Sequence, residues 1–160
     1  MKYFEDIQVG ETFDLGRHTF TAEEIKAFAH RFDPQPFHVD EDAAAQSHFG
    51  ALAASGWHTA SVWMRLMVEY RRRVTEATRA RGEPVAGIGP ALGFRDMKWL
   101  KPVYVDDTIE YVSEVIELRP SGSRPTQGLM TIRATGVNQH GVLVFSFVST
   151  TLVERRPDEA

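Results

Sequence analysis

Cysteine is absent from all 160 residues. Its absence excludes disulfides, thiolate nucleophiles, Cys-type zinc sites and Cys-ligated iron–sulfur clusters, and it fits a reducing compartment, so a cytoplasmic location is the expectation. Also missing is any run of the ~18 uninterrupted apolar residues that a membrane helix needs. The longest lightly charged stretch, Phe49 to Met64, is broken by Gly, Ser, His and Thr. The start, MKYFEDIQVGE, has no basic segment leading into an apolar run, so no signal peptide and no membrane partner are expected. Positive charge is not in excess: 18 Lys and Arg stand against 22 Asp and Glu, a formal charge of -4. That balance argues against a nucleic-acid partner, although it leaves room for a local basic patch. There is no internal repeat and no Pro-, Gly- or Ser-rich linker. One domain over residues 1–160 is therefore expected.

What is present divides by chain position. The first half reads as helix and loop, the second as strands, which is an α+β pattern with an antiparallel sheet. Residues 11–20 give a weak strand signal, with Phe13 and Leu15 at period two. Thr21 with Glu24 matches a capping box, and Ile25, Phe28, Ala29 and Phe32 follow on one helical face. Pro34 ends that helix. The segment 33–40, DPQPFHVD, is expected to be stiff and non-helical, and a short helix over about 41–47 to follow with Asp40 as its N-cap. The longest helix is expected from about Trp57 to Ala80, about 36 Å at 1.5 Å per residue. Its first half is apolar on nearly every side, the pattern of a helix buried all round. Its second half, from Arg71-Arg72-Arg73 to Arg79, is polar and predicted to face solvent. Strands are expected at about 88–100, 104–118, 127–138 and 141–154, separated by a loop at 120–125 and a hairpin turn at 138–141. One curved antiparallel sheet wrapped around the long helix accommodates this pattern.

Several residues could carry chemistry. Asp33 and His38, five apart in a proline-stiffened stretch, can jointly position a water and move its proton. They are also compatible with an Asp-Pro turn and a surface histidine. Ser55-Gly56 heads the long helix, where unpaired backbone N–H groups and the helix dipole favour negative charge on a carbonyl oxygen, or where either residue simply caps the helix. His30, His38, Asp40, His48 and His58 lie close in sequence but match no metal motif, so no metal is expected. Arg71–Arg73, Arg79 and Arg81, with Lys98 and Lys101 around Trp99, can meet ligand phosphates or water.

Residues 33–66, DPQPFHVDEDAAAQSHFGALAASGWHTASVWMRL, resemble the signature of MaoC-like dehydratases, which include (R)-specific enoyl-CoA hydratases. The matched positions are Asp33, Pro36, His38, Asp40, Ala43–Ala45, Phe49, Gly50 and Gly56. Trp99–Val103 followed by Asp106-Asp107-Thr108 resembles a second family segment. Ser55 stands where some hydratases have His, and Met64 where some have Ser. The resemblance implies a hot-dog fold, a long central helix wrapped by an antiparallel sheet, in at least a homodimer. It implies no cofactor and an acyl-CoA or acyl-carrier-protein thioester as substrate. It further implies that Asp33 and His38 hold a water that adds to a trans-2-enoyl thioester. The Gly56 N–H would polarise the thioester carbonyl. Two alternatives share the scaffold. One is a thioesterase, for which Glu69 on the long helix is the available carboxylate. The other is a non-catalytic acyl-thioester binder.

Overall fold

The computed structural model describes residues 1–157, so the last three residues of the expected domain lie outside the described part. After a short 3-10 turn at Phe4–Asp6, the chain forms β1 (Thr12–Thr19), α1 (Ala22–Phe32), α2 (Pro36–Val39), α3 (Glu41–Ala45) and α4 (Gly56–Ala80). Four strands follow: β2 (Ile88–Trp99), β3 (Thr108–Pro120), β4 (Gln127–Asn138) and β5 (Leu143–Glu154). All pair antiparallel in one sheet of order β1-β3-β4-β5-β2. The sheet curls around α4, the hot-dog arrangement. Among the described residues, no helix is long and apolar enough to cross a membrane.

Local chemistry explains the helical ends. The α1 capping box is present, with the Glu24 N–H on the Thr21 hydroxyl and the Thr21 N–H on the Glu24 carboxylate. Asp40 caps α3 by accepting from the Ala43 N–H at 2.8 Å. Segment 33–40 departs from expectation, because Pro36–Val39 forms one helical turn. Pro36 sits in its first turn, where a fixed φ suits a helix and the missing N–H would be unpaired anyway. β3 begins at Thr108 rather than near 104, because Tyr104–Asp107 closes a turn with the Tyr104 N–H on the Asp107 carboxylate.

The core lies between α4 and the concave face of the sheet. Val62, Trp63, Leu66 and Met67 of α4 meet Tyr111, Val115, Ile132, Ala134, Phe145 and Phe147. Two polar ties cross this layer: the Tyr111 hydroxyl donates to the Thr59 carbonyl at 3.1 Å, and the Trp63 indole N–H to the Ser113 hydroxyl at 3.3 Å. Each such bond contributes on the order of 1 kcal/mol net and leaves no buried donor without an acceptor. The expectation of a helix buried all round is corrected. Trp57, Met64 and Val68 are 52%, 52% and 56% exposed, because a single curved sheet covers only one side of α4. Arg71 departs in the opposite sense, since it is half-buried while Arg72 and Arg73 are exposed.

β2 is an edge strand with three register shifts against β5, positive φ at Gly93 and Asp96, and exposed Leu92, Phe94 and Trp99. Bulges of this kind bend an edge and re-aim its side chains. Here they bring Trp99 over the start of α4.

His58 is buried against α1 and β1, stacked on Phe28 and edge-on to Phe20, with its Nδ1 unpartnered. Burial, the neighbouring His18 and Arg65 push its pKa down to about 4, with Glu24 acting in the opposite direction. The folded protein therefore holds His58 neutral where the unfolded chain already takes up a proton near pH ~6.5. Stability is expected to fall as pH drops from about 6.5 towards 4. A His58→Leu variant should lose less melting temperature than the wild type over that interval, as scanning calorimetry can measure.

Candidate functional site

Three segments converge at the N-terminus of α4. The end of α1 supplies Asp33, the one-turn helix α2 supplies His38, and α4 opens with Ser55 and Gly56. All of these except Ser55 line a cavity of about 430 Å³, together with His48, Trp99 and Lys101. The three residues that the sequence marks as a site are thus brought together in one cavity.

The geometry of the pair is specific. His38 is buried, and its Nδ1 lies 2.6 Å from the Ala53 carbonyl oxygen. A carbonyl only accepts, so Nδ1 carries a proton, and Nε2 of the singly protonated ring is an acceptor. That Nε2 stands 3.5 Å from Asp33 Oδ2, too far for a direct hydrogen bond and suited to a shared water. Asp33 Oδ2 accepts from the Ser55 hydroxyl at 2.6 Å, and Oδ1 from the Gln35 side-chain amide at 2.8 Å. Burial alone would raise the Asp33 pKa. The bonds from Ser55 and Gln35, with the nearby His38, outweigh burial and hold the carboxyl below its ordinary value.

Gly56 is set by contact as well as by position. The Trp99 indole N–H donates to the Gly56 carbonyl at 2.8 Å. A Cβ on Gly56 would come within 2.6 Å of the Trp99 ring, so no larger residue fits without displacing it. The Trp57 N–H is taken by the Ser55 hydroxyl, and the His58 and Thr59 N–H groups by the Ser55 carbonyl. Among the described residues, the Gly56 N–H at the head of α4 has no hydrogen-bond acceptor. Gly56 lines the same cavity as Asp33 and His38.

Other candidates separate. His30 is exposed, Asp40 caps α3 and His58 packs among aromatic rings. Among the described residues no three His, Asp or Glu side chains converge as metal ligands. Lys101 lines the cavity, whereas Lys98 does not. Glu69 is exposed and paired with Arg65 at 3.4 Å, away from the cavity. Sequence reasoning left Ser55 open between a cap and an anion-favouring helix end, and gave no sign of its bond to Asp33. The Gln35–Asp33 and Trp99–Gly56 contacts were likewise not foreseen. A Ser before a helix-opening Gly signals the cap, and no sequence pattern signals its second partner.

Comparison with known proteins places the chain in a family. Residues 6–138 match the family described as the MaoC like domain. A solved structure of a MaoC-like dehydratase from Rhodospirillum rubrum is 40% identical, with a TM-score of 0.82, covering 98% of this chain and 99% of that one. A 3-hydroxybutyryl-CoA dehydratase of Methylorubrum extorquens is 31% identical over 123 residues, 76% of this chain and 69% of that protein. A Mycobacterium tuberculosis protein with a double hotdog fold is 20% identical with a TM-score of 0.70, matching 99% of this chain but 46% of its own length. With most of its length matched by the family and its characteristic residues gathered at one helix end, this chain belongs to the MaoC-like domain family.

Proposed function

We propose that the protein is a hydro-lyase that adds water to a trans-2-enoyl thioester, or removes it from an (R)-3-hydroxyacyl thioester, with acyl-CoA or acyl-carrier protein as the carrier. The observation that carries this reading is the pair of acceptors, His38 Nε2 and Asp33 Oδ2, 3.5 Å apart beside a free helix N–H. A water that donates one hydrogen to each acceptor keeps a lone pair for the substrate. Family membership and the dehydratase relative support the same class of reaction.

The steps follow from those atoms. The thioester carbonyl oxygen accepts from the Gly56 N–H, which withdraws charge from the double bond and makes C3 electrophilic. The held water attacks C3 and gives up a proton to the pair. Enolate charge develops on the carbonyl oxygen, where the helix N-terminus stabilises it. The proton returned to C2 balances the one taken, so the sum is one water added. No cofactor enters these steps. Trp99, bonded to the Gly56 carbonyl and lying against its Cα, helps fix this peptide at the head of α4.

We further infer that the protein works as a homodimer or larger homo-oligomer, formed through the edge strand β2 and the uncovered face of α4. The exposed Leu92, Phe94, Met64 and Val68 supply apolar area there, and the double hotdog relative carries two such units in one chain.

Three measurements test these readings. Asp33→Asn should lower kcat on crotonyl-CoA or a longer enoyl-CoA by 10²-fold or more, on the order of a lost general base, with the melting temperature little changed. An unaffected variant would remove Asp33 from the mechanism. Ser55→Ala should move the acid limb of kcat/KM to higher pH, because the lost hydrogen bond lets the Asp33 pKa rise. The same change removes the helix cap and should cost about 1 kcal/mol of stability. Phe94→Asp should shift the protein towards monomer in sedimentation equilibrium, whereas a wild type that sediments as a monomer rejects the assembly.

A further inference from the structure

A second cavity, about 240 Å³ and lined mostly by apolar side chains, runs between α4 and the β2–β5 side of the sheet. Trp57 lines both cavities, so the second adjoins the catalytic one at that side chain. Met64 and Met67 form its helix wall, and Met97 and Phe147 belong to its sheet wall. At the far end of the helix wall stands Arg71, about four turns beyond Trp57.

Arg71 does not fit an ordinary hydrocarbon slot. Its guanidinium is desolvated by burial, which lowers its pKa, and no carboxylate contribution offsets this. On the same helix Arg65 pairs with Glu69, while Arg72 and Arg73, which have no ion pair among the described residues, are exposed to water. Arg71 has no such partner among the described residues. A buried cation without a counter-ion is unfavourable, and a planar guanidinium matches a carboxylate through two parallel hydrogen bonds.

We propose that Arg71 receives a carboxylate at the far end of the acyl chain, so that the preferred substrates are enoyl thioesters carrying a terminal carboxyl group. This assignment rests on the hydratase reading of the Asp33–His38 site. It also sets a length. Trp57 and Arg71 are about 21 Å apart along the helix axis, and the Arg side chain leans back towards the N-terminus over part of that distance. The remaining gap corresponds to a chain of medium length, on the order of ten carbon–carbon bonds at roughly 1.2 Å of advance each.

The test compares two substrates and two proteins. The substrates are trans-2-dodecenoyl-CoA and the same thioester bearing a carboxyl group at its far end. The proteins are the wild type and Arg71→Met. The wild type should show the higher kcat/KM on the carboxylated thioester. Arg71→Met should lose on the order of 100-fold on that substrate while keeping or improving its rate on the plain one. Arg71→Lys, which retains the charge without the fork, should keep part of the preference. Equal wild-type rates on both substrates would overturn the proposal. So would an Arg71→Met loss shared by both, which would place Arg71 against the CoA moiety. An Arg71→Met protein that dissociates in sedimentation would assign Arg71 to a contact with a second copy and also overturn it.

If the wild type hydrates neither thioester, the hydratase reading fails separately, and binding decides Arg71. The saturated twin pair, dodecanoyl-CoA and its carboxyl-ended counterpart, would be compared by thermal shift. Greater stabilisation by the carboxylated member, lost in Arg71→Met, supports the assignment. Equal stabilisation rejects it.

Discussion

The Ser55 hydroxyl holds together two requirements that would otherwise be met separately. It accepts from the Trp57 N–H and so begins α4, and it donates to Asp33 Oδ2 at 2.6 Å. Because one oxygen serves both, the start of the helix cannot move without moving the carboxylate. The Gly56 N–H, next to Ser55 in the chain, is therefore tied to the position of the Asp33 carboxylate. Such registration matters for chemistry, since a displacement of about 1 Å in a reacting group can cost ~100-fold in rate. The same bond helps hold the Asp33 pKa below its ordinary value, favouring the carboxylate that accepts from water.

The rest of the fold serves that junction. α4 cannot slide, because Tyr111 and Trp63 tie it to the sheet and its buried face fills the concave side. The bulged edge strand β2 ends by laying Trp99 on Gly56, where a side chain on residue 56 would collide with the ring. On the α1 side, His58 is packed neutral between Phe20 and Phe28. The cost of that burial appears as acid sensitivity, not as reactivity.

α4 also explains how one helix can serve a polar reaction and an apolar tail. Its N-terminal end presents backbone donors, and its middle presents Met64 and Met67 to the second cavity. Methionine is an adaptable wall for a chain of variable shape. Arg71 then closes that wall with a charge that nothing in the same chain neutralises among the described residues. A slot ending in such a group can discriminate by what lies at the far end of a substrate, well away from the bond being hydrated.

Much of this was legible beforehand. Thr21–Glu24 marked a helix start, Asp40 a cap, and the ordered positions from Asp33 to Gly56 marked both family and candidate site, because each depends on neighbours within a few residues. Alternation placed four strands to within a few residues. Other features depend on residues far apart in the chain, which sequence periodicity cannot pair. Ser55 meets Asp33 across 22 positions, and Trp99 meets Gly56 across 43. The apolar first half of α4 looked fully buried, yet a single sheet covers one face only, and Arg71 looked solvated within an arginine run, yet the curl of β2 and β5 half-buries it. The sequence by itself determined which elements form and which residues are chemically able to act. The tertiary structure decided which of them meet and which face water, because both depend on how the sheet closes around the helix.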